Sequence, residues 1–136
     1  MHKSSKGATA HGIGSFLCVH ESPIGISPGH VEVLEEGMCL QVEPGHYKDN
    51  EFGVREENSM MIVKHKIFDD MLTFENITFV PYCRNLMDLD LISDDQLEQI
   101  NMYHTLCFNH LMPLLAKAKD KRAQEWLKKA CEPIER

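Results

Sequence analysis

The sequence predicts an α+β fold in which a β-rich segment comes first and a helical segment follows. Two observations lead to this prediction. Short apolar runs rich in β-branched residues, separated by Gly, Pro, Asn and Asp, extend as far as Tyr82, whereas helical periodicity dominates after it. With 136 residues, 43% of them hydrophobic, the chain is the size of one globular domain with its own core.

The β-rich segment contains several strand candidates. Residues 30–43, 53–67 and 71–82 are apolar enough for partly buried strands, and residues 13–20 are suited to a strand or an extended segment. Residues 21–30 contain two prolines and two glycines and are predicted to form a loop. A turn rich in Gly, Asp and Asn lies within residues 43–58 and is predicted to connect two antiparallel strands.

Two helices are predicted after Tyr82. Ser93 and Gln96 have the spacing of a capping box and mark the start of the first helix, which Pro113 is expected to kink or end. The second helix is predicted from about residue 120 to 131. The apolar stripes of both helices favour core packing or a subunit contact.

Composition excludes several classes of protein. The net charge of −7 and the scattered Lys and Arg residues argue against a nucleic-acid partner. No apolar run approaches the roughly 18 residues of a membrane span, and the first residues lack the apolar stretch of a signal peptide. Five cysteines without a CxxC pair favour reduced thiols. We therefore expect a cytoplasmic protein with neither a nucleic-acid nor a membrane partner.

The residues at the base of the predicted hairpin could carry chemistry. Glu43 and Glu57 are brought close together if the turn pairs its two strands, and Arg55 lies on the same strand face as Glu57. Two close carboxylates need a cation between them, and a divalent metal is a common solution. The alternative is a pair of surface glutamates with a surface arginine.

Two histidines upstream add to this pattern. His11 and His20 flank the segment "GIGSFLCV", whose two glycines allow close approach of the backbone. Either histidine alone would favour a structural role. Together with the "EPG" and "FGVREEN" segments that follow, they are more typical of a metal site.

Three longer segments carry a resemblance to a known family. "HGIGSFLCVHESPIGIS", "LEEGMCLQVEPGHYKDNEFGVREEN" and "LTFENITFVP" resemble the C-terminal half of Xaa-Pro aminopeptidases, the aminopeptidase P family of pita-bread metallopeptidases. The similarity continues through the helical tail to "EWLKKACEPI". The resemblance implies a partial pita-bread sheet followed by a helical extension. It also divides the chain into a flexible start (1–10), half of a catalytic domain (11–71) and the family's C-terminal region (72–136).

The resemblance also implies a function and roles for the site residues. His11 and Glu43 correspond to terminal metal ligands, and Glu57 to a carboxylate that bridges two manganese ions. His20 corresponds to a histidine on the substrate side, and Arg55 to an arginine that supports the ligands. The implied substrate is a peptide with proline at its second position, from which the N-terminal residue is removed. The helical tail is a candidate homodimer contact.

The sequence also departs from the family pattern. The family draws two further aspartate ligands from strands before the first histidine, whereas no acidic residue precedes His11 in this chain. We therefore expect at most one divalent ion here, bound weakly. Three interpretations stay open: a fragment of a Xaa-Pro aminopeptidase, an inactive relative acting as an interaction or dimerisation module, and a half-domain that folds poorly.

Overall fold

The computed structural model of the chain describes residues 9–16 and 18–136. The chain divides between Thr78 and Phe79 into two compact units. Most of the predicted flexible start, residues 1–8, lies outside the described residues, while Ala10 already belongs to a strand. The first unit extends past the predicted boundary at residues 71 and 72, because a strand that follows this point pairs with the main sheet. The division into family regions stays a prediction.

The described residues of the first unit form seven strands: β1 (Ala10–Gly12), β2 (Glu21–Ile26), β3 (Cys39–Val42), β4 (Gly45–Lys48), β5 (Phe52–Arg55), β6 (Asn58–Lys64) and β7 (Leu72–Asn76). Five of them form one sheet in the order β2-β1-β3-β6-β7, and β4 and β5 form a separate hairpin. Every pair is antiparallel. The predicted turn is confirmed, since it lies between β4 and β5 and contains Asn50 at φ 61°, a conformation that Asn tolerates.

The central strands separate two chemical environments because side chains alternate along a strand. Ala10, Leu40 and Ile62 are fully buried and form the core of the sheet's apolar face. His11 lies opposite Gln41 on the other face of the sheet. By the same alternation, Glu43, directly after β3, and Glu57, directly before β6, belong to that face. The hydrophobic core therefore fixes the position of the polar face above it.

Two expectations for the segment before β3 are wrong. Residues 13–16 and 18–20, expected to form a strand or an extended segment, contain a turn at 15–16, a bend at 19–20 and no strand, while residues 21–26, expected to form a loop, make up β2. Pro23 is tolerated there because β2 is at the edge of the sheet, where a missing N–H does not break a ladder on both sides. The strand expected over residues 30–43 is confined to β3, since Gly37 at φ +88° interrupts it.

The second unit contains the two predicted helices, α1 (Asp94–Ala118) and α2 (Lys121–Ala130). The capping box is confirmed: the Ser93 hydroxyl accepts from the Gln96 N–H, and the Gln96 side chain accepts from the Ser93 N–H. Cys107 on α1 and Leu127 on α2 are fully buried, and both helices contribute to the core of this unit. None of the described helices is long and apolar enough to cross a membrane.

Pro113 does not end α1, which continues for five further residues to Ala118. Proline cannot donate to the carbonyl four residues earlier, here that of Asn109. Both residues are exposed, so water can satisfy the freed carbonyl. The hydrogen bond that the proline removes is therefore lost at the surface of α1 and not in the core.

Candidate metal centre

The ladder between β1 and β3 brings His11 and Glu43 together. Glu43 follows β3 directly and extends the pairing, because its N–H donates to the Thr9 carbonyl over 2.8 Å. It shares a strand face with Gln41, which lies opposite His11. As a result, His11 Nε2 lies 3.5 Å from Glu43 Oε1, with side-chain exposures of 11% and 16%. Both predicted ligands are therefore largely removed from water and face each other.

The orientation of the His11 ring is fixed by the backbone. His11 Nδ1 lies 2.9 Å from the carbonyl oxygen of Gly12. Since a carbonyl oxygen can only accept, Nδ1 carries a proton, and in the neutral ring the lone pair is on Nε2. That lone pair faces the Glu43 carboxylate. Two electron-rich atoms this close require a cation or a second ring proton between them, and a histidine anchored in this way is typical of a metal ligand.

His20 completes a group of three donors. Its ring packs edge-on against that of His11, with centroids 4.4 Å apart and an angle of 77° between the planes. Donor atoms of His11, His20 and Glu43 all lie within 4.8 Å of one another. His20 is the exposed member, so this side of the group is open to solvent. The structure thus places the residue predicted to contact substrate directly beside two predicted ligands.

Glu57 and Arg55 form the adjoining part of the site. Arg55 Nε donates to Glu57 Oε2 over 3.0 Å, while its Nη1 lies 3.5 Å from Glu43 Oε2. Both carboxylates therefore lie close to one guanidinium, which agrees with their predicted positions at the base of the hairpin. The pKa of Arg55 is raised by Glu57 first, then by a hydrogen bond with Tyr47 and by Glu43. Among the described residues, Glu57 is not part of the three-donor group.

Tyr47 is a site residue that the sequence analysis missed. It lies opposite Gly53 in the β4–β5 hairpin, and its ring covers this glycine so closely that a Cβ there would be 2.7 Å from Tyr47 Cδ1. Its hydroxyl lies over Gly45, the register partner of Arg55, where a Cβ would be 2.7 Å from Tyr47 Oη. An aromatic residue opposite a glycine in a predicted hairpin could have indicated this packing. The tyrosine therefore covers the strand position next to Arg55, and it contributes to raising the pKa of that residue.

The donor set is suited to a divalent metal ion. Two imidazoles and a carboxylate, with a second carboxylate nearby, are the ligands that zinc, manganese and iron use in proteins. His11, Glu43 and His20 would hold the ion most directly, and Glu57 is within reach of the same region through Arg55. The arrangement can bind a cation. The side of the site formed by His20 is exposed, so a further ligand can reach the cation there.

Comparison with known proteins agrees with this chemistry. The model of metallopeptidase family M24 matches residues 2–64, and that of the C-terminal region of the same family matches residues 70–134. Together the two matches account for nearly the whole chain and put the candidate metal centre within the first. The chain belongs to metallopeptidase family M24.

Its relatives within the family are Xaa-Pro aminopeptidases. The chain is 41% identical over 128 residues to human Xaa-Pro aminopeptidase 2, covering 93% of this chain and 19% of that protein. It is 43% identical over 133 residues to aminopeptidase P1 of Lotus japonicus, covering 93% of this chain and 20% of that protein. The chain therefore spans about a fifth of the length of these relatives.

A solved structure supports the fold. X-prolyl aminopeptidase from Caenorhabditis elegans, described as a cytosolic enzyme with a di-nuclear active site, matches 93% of this chain and 21% of its own at a TM-score of 0.83 and 32% identity. The predicted α+β class and the partial pita-bread fold are thus confirmed. The separate roles of His11, Glu43, Glu57, His20 and Arg55 stay predictions.

Proposed function

We propose that the protein acts as a metal-dependent Xaa-Pro aminopeptidase, which removes the N-terminal residue of a peptide with proline at the second position. The observation that carries this proposal is the group formed by His11, His20 and Glu43 within a chain of family M24. Relatives named Xaa-Pro aminopeptidase along 93% of the chain support the substrate class. The chain corresponds to about a fifth of such a protein, so the activity is proposed for the complete site.

In the complete site, we assign His11 and Glu43 as terminal ligands and Glu57 as the carboxylate that bridges two manganese ions. The di-nuclear active site of the C. elegans relative supports the number of ions. Bound ions of this kind polarise the scissile carbonyl and lower the pKa of a water molecule. The remaining ligands come from outside this chain, which by itself is expected to hold one ion at most.

The chain's own residues then position the reacting groups. His20 is exposed on the open side of the site, where it can donate a hydrogen bond to the oxygen on which negative charge develops. Arg55 orients both glutamates and balances their charge through its two ion pairs. Preorganised charges of this kind need no rearrangement during the reaction.

A location and partners are also proposed, the location from the same comparison and the second copy from the apolar side chains exposed on the helices. We propose a cytosolic location, since the C. elegans relative is a cytosolic enzyme. The proposed partners are a peptide substrate and a second copy of the chain bound through the second unit. Neither a nucleic-acid nor a membrane partner is proposed.

A second candidate function is that of an inactive relative that serves as an interaction or dimerisation module. It is favoured by large apolar side chains exposed on the helices, Met102 (66%), Leu114 (62%) and Trp126 (57%). Exposed apolar surface of this kind often marks a contact with another protein.

One assay separates the two candidates. The purified chain is incubated with manganese and an Xaa-Pro peptide, alongside Glu57→Ala and, as a matched control, Glu51→Ala, which alters an exposed glutamate of the β4–β5 turn. Release of the N-terminal residue that is lost only in Glu57→Ala supports the peptidase. A folded chain that neither cleaves the peptide nor binds a divalent ion favours the interaction module, whereas a chain that binds an ion without cleaving agrees with a peptidase site that is completed from outside the chain.

A further inference from the structure

We propose that this chain binds a single divalent ion through His11, Glu43 and His20, while Glu57 stays paired with Arg55 and outside the set of ligands. This inference rests on the metal-binding part of the proposed function and does not depend on peptidase activity. It differs from the assignment for the complete site in that His20 takes the place of Glu57. The two assignments apply to different metal loads, one ion in this chain and two in the complete site.

The first argument is the proximity of the three donors. His11 Nε2 and Glu43 Oε1 are 3.5 Å apart, and His20 offers a ring nitrogen within 4.8 Å of both partners. Ligands of one ion lie at such separations after small side-chain adjustments. The Nδ1–H of His11 is already committed to the Gly12 carbonyl, so that its Nε2 is available for the ion.

The second argument concerns the charge on each glutamate. The Glu57 carboxylate is paired with Arg55 Nε at 3.0 Å, whereas Glu43 lies 3.5 Å from the nearest guanidinium nitrogen. The Glu43 side chain is also the more buried, 16% exposed against 33% for Glu57. A poorly compensated carboxylate that is withdrawn from water gains more from a metal ion than one with its own cation.

The third argument is the ligand chemistry. Two imidazoles with a single carboxylate favour borderline ions such as Zn²⁺, while carboxylate-rich sites are suited to Mn²⁺. A site that uses His20 in place of Glu57 has two imidazole ligands and one carboxylate, and is therefore closer to a zinc site than to a manganese site. We expect this chain to bind Zn²⁺ at least about tenfold more tightly than Mn²⁺.

The test is a zinc titration followed by isothermal calorimetry on the full 136-residue chain. Three variants are compared with the parent: His20→Ala, Glu57→Gln and, as the matched control, His30→Ala, which removes an exposed histidine bound to Ser27. Loss of a ligand should weaken zinc binding by about 100-fold or more, beyond the roughly 10–100-fold that changes around the ligands cost. We expect that loss for His20→Ala, a decrease of only about fivefold for Glu57→Gln, which removes a nearby negative charge, and a change within about threefold for His30→Ala.

A measurement on the parent chain makes the test independent of variant folding. Zinc should shift the ring ¹⁵N resonances of His11 and His20 together, at one equivalent of metal, and leave those of His30 unchanged. The proposal is overturned if the parent binds no zinc, if His20 resonances do not respond, or if Glu57→Gln weakens binding as much as His20→Ala does. Because no peptide is present, these results are separate from any failure of the peptidase assay.

Discussion

Arg55 Nε donates to Glu57 Oε2 over 3.0 Å, at the point where the β4–β5 hairpin returns to the main sheet. The same guanidinium lies 3.5 Å from Glu43 Oε2, so one cation serves two carboxylates that would otherwise repel each other. A divalent ion that enters the site competes with this cation for the same charges. Arg55 thus both positions the carboxylates and opposes the metal.

Replacing Arg55 tests which of the two effects dominates. We expect Arg55→Ala to raise the zinc affinity of the chain about fivefold, because the substitution removes a positive charge that repels the ion at close range. Calorimetric titration with zinc measures the affinity of the variant and of the parent chain. Lys48→Ala is the matched control, since it removes a positive charge from the same hairpin, where Lys48 pairs with Glu51 at 2.6 Å. A lower affinity in Arg55→Ala would mean that positioning outweighs repulsion.

Gly12 is the residue that lets β2 approach His11. A Cβ at this position would be 2.3 Å from the carbonyl oxygen of Glu21 and 2.7 Å from Cγ1 of Ile24, where the register of the β1–β2 pair shifts. Backbone must move to relieve the first contact, so Gly12→Ala should lower the free energy of unfolding by about 1–3 kcal/mol. Urea denaturation measures this. Gly29→Ala, which meets nothing within 4 Å, should leave the midpoint nearly unchanged.

Local signals in the sequence predicted part of this fold well. The capping box at Ser93, the β4–β5 turn and the second helix depend on residues close in sequence, so spacing alone was sufficient. Residues 21–26 were wrongly expected to form a loop because their strand character depends on a place at the sheet edge, which no local pattern indicates. Tertiary position overrode the proline and the glycine of this segment.

The position of Arg55 beside Glu57 could be predicted from the sequence, whereas the contacts of His20 and Tyr47 could not. Strand alternation correctly put Arg55 on the side of Glu57, and the two ion pairs of Arg55 follow from it. The approach of His20 to His11 depends on a stretch of turns after β1, and the contact of Tyr47 with Arg55 depends on packing across a hairpin. Neither distance is set by the spacing of residues along the chain.

Ser93 offers a test of helix capping that does not involve the metal centre. Its hydroxyl accepts from the Gln96 N–H over 3.2 Å at the start of α1. Ser93→Ala leaves that N–H without its partner and should destabilise the chain by about 1 kcal/mol in urea denaturation. Ser93→Thr keeps an acceptor at the same position and should retain most of the stability. Equal losses in both variants would indicate that packing, and not the cap, is responsible.

His104 should make the stability of the chain depend on pH. Its ring is fully buried, and its Nε2 accepts from the Tyr82 N–H over 3.1 Å, which requires that this nitrogen be unprotonated. Burial lowers the pKa of His104, and the positive charge of Arg84 lowers it further, relative to 6.5 in the unfolded chain. Below pH 6.5 the imidazole of His104 is protonated in the unfolded chain but stays neutral in the folded chain until the lowered pKa is reached. The stabilising contribution is therefore complete above pH 6.5 and is lost as the pH falls toward the lowered pKa.

The parent chain and His104→Gln, compared by urea denaturation between pH 7.5 and pH 5, isolate this effect. The other titrating groups are common to both proteins, so they largely cancel in the difference between the two free energies of unfolding. That difference should shrink as the pH falls, by up to about 1.4 kcal/mol per pH unit for one proton. His30→Gln, which alters an exposed histidine, should follow the parent at every pH. A difference between parent and His104→Gln that stays constant across the range would show that the buried ring releases no such proton on folding.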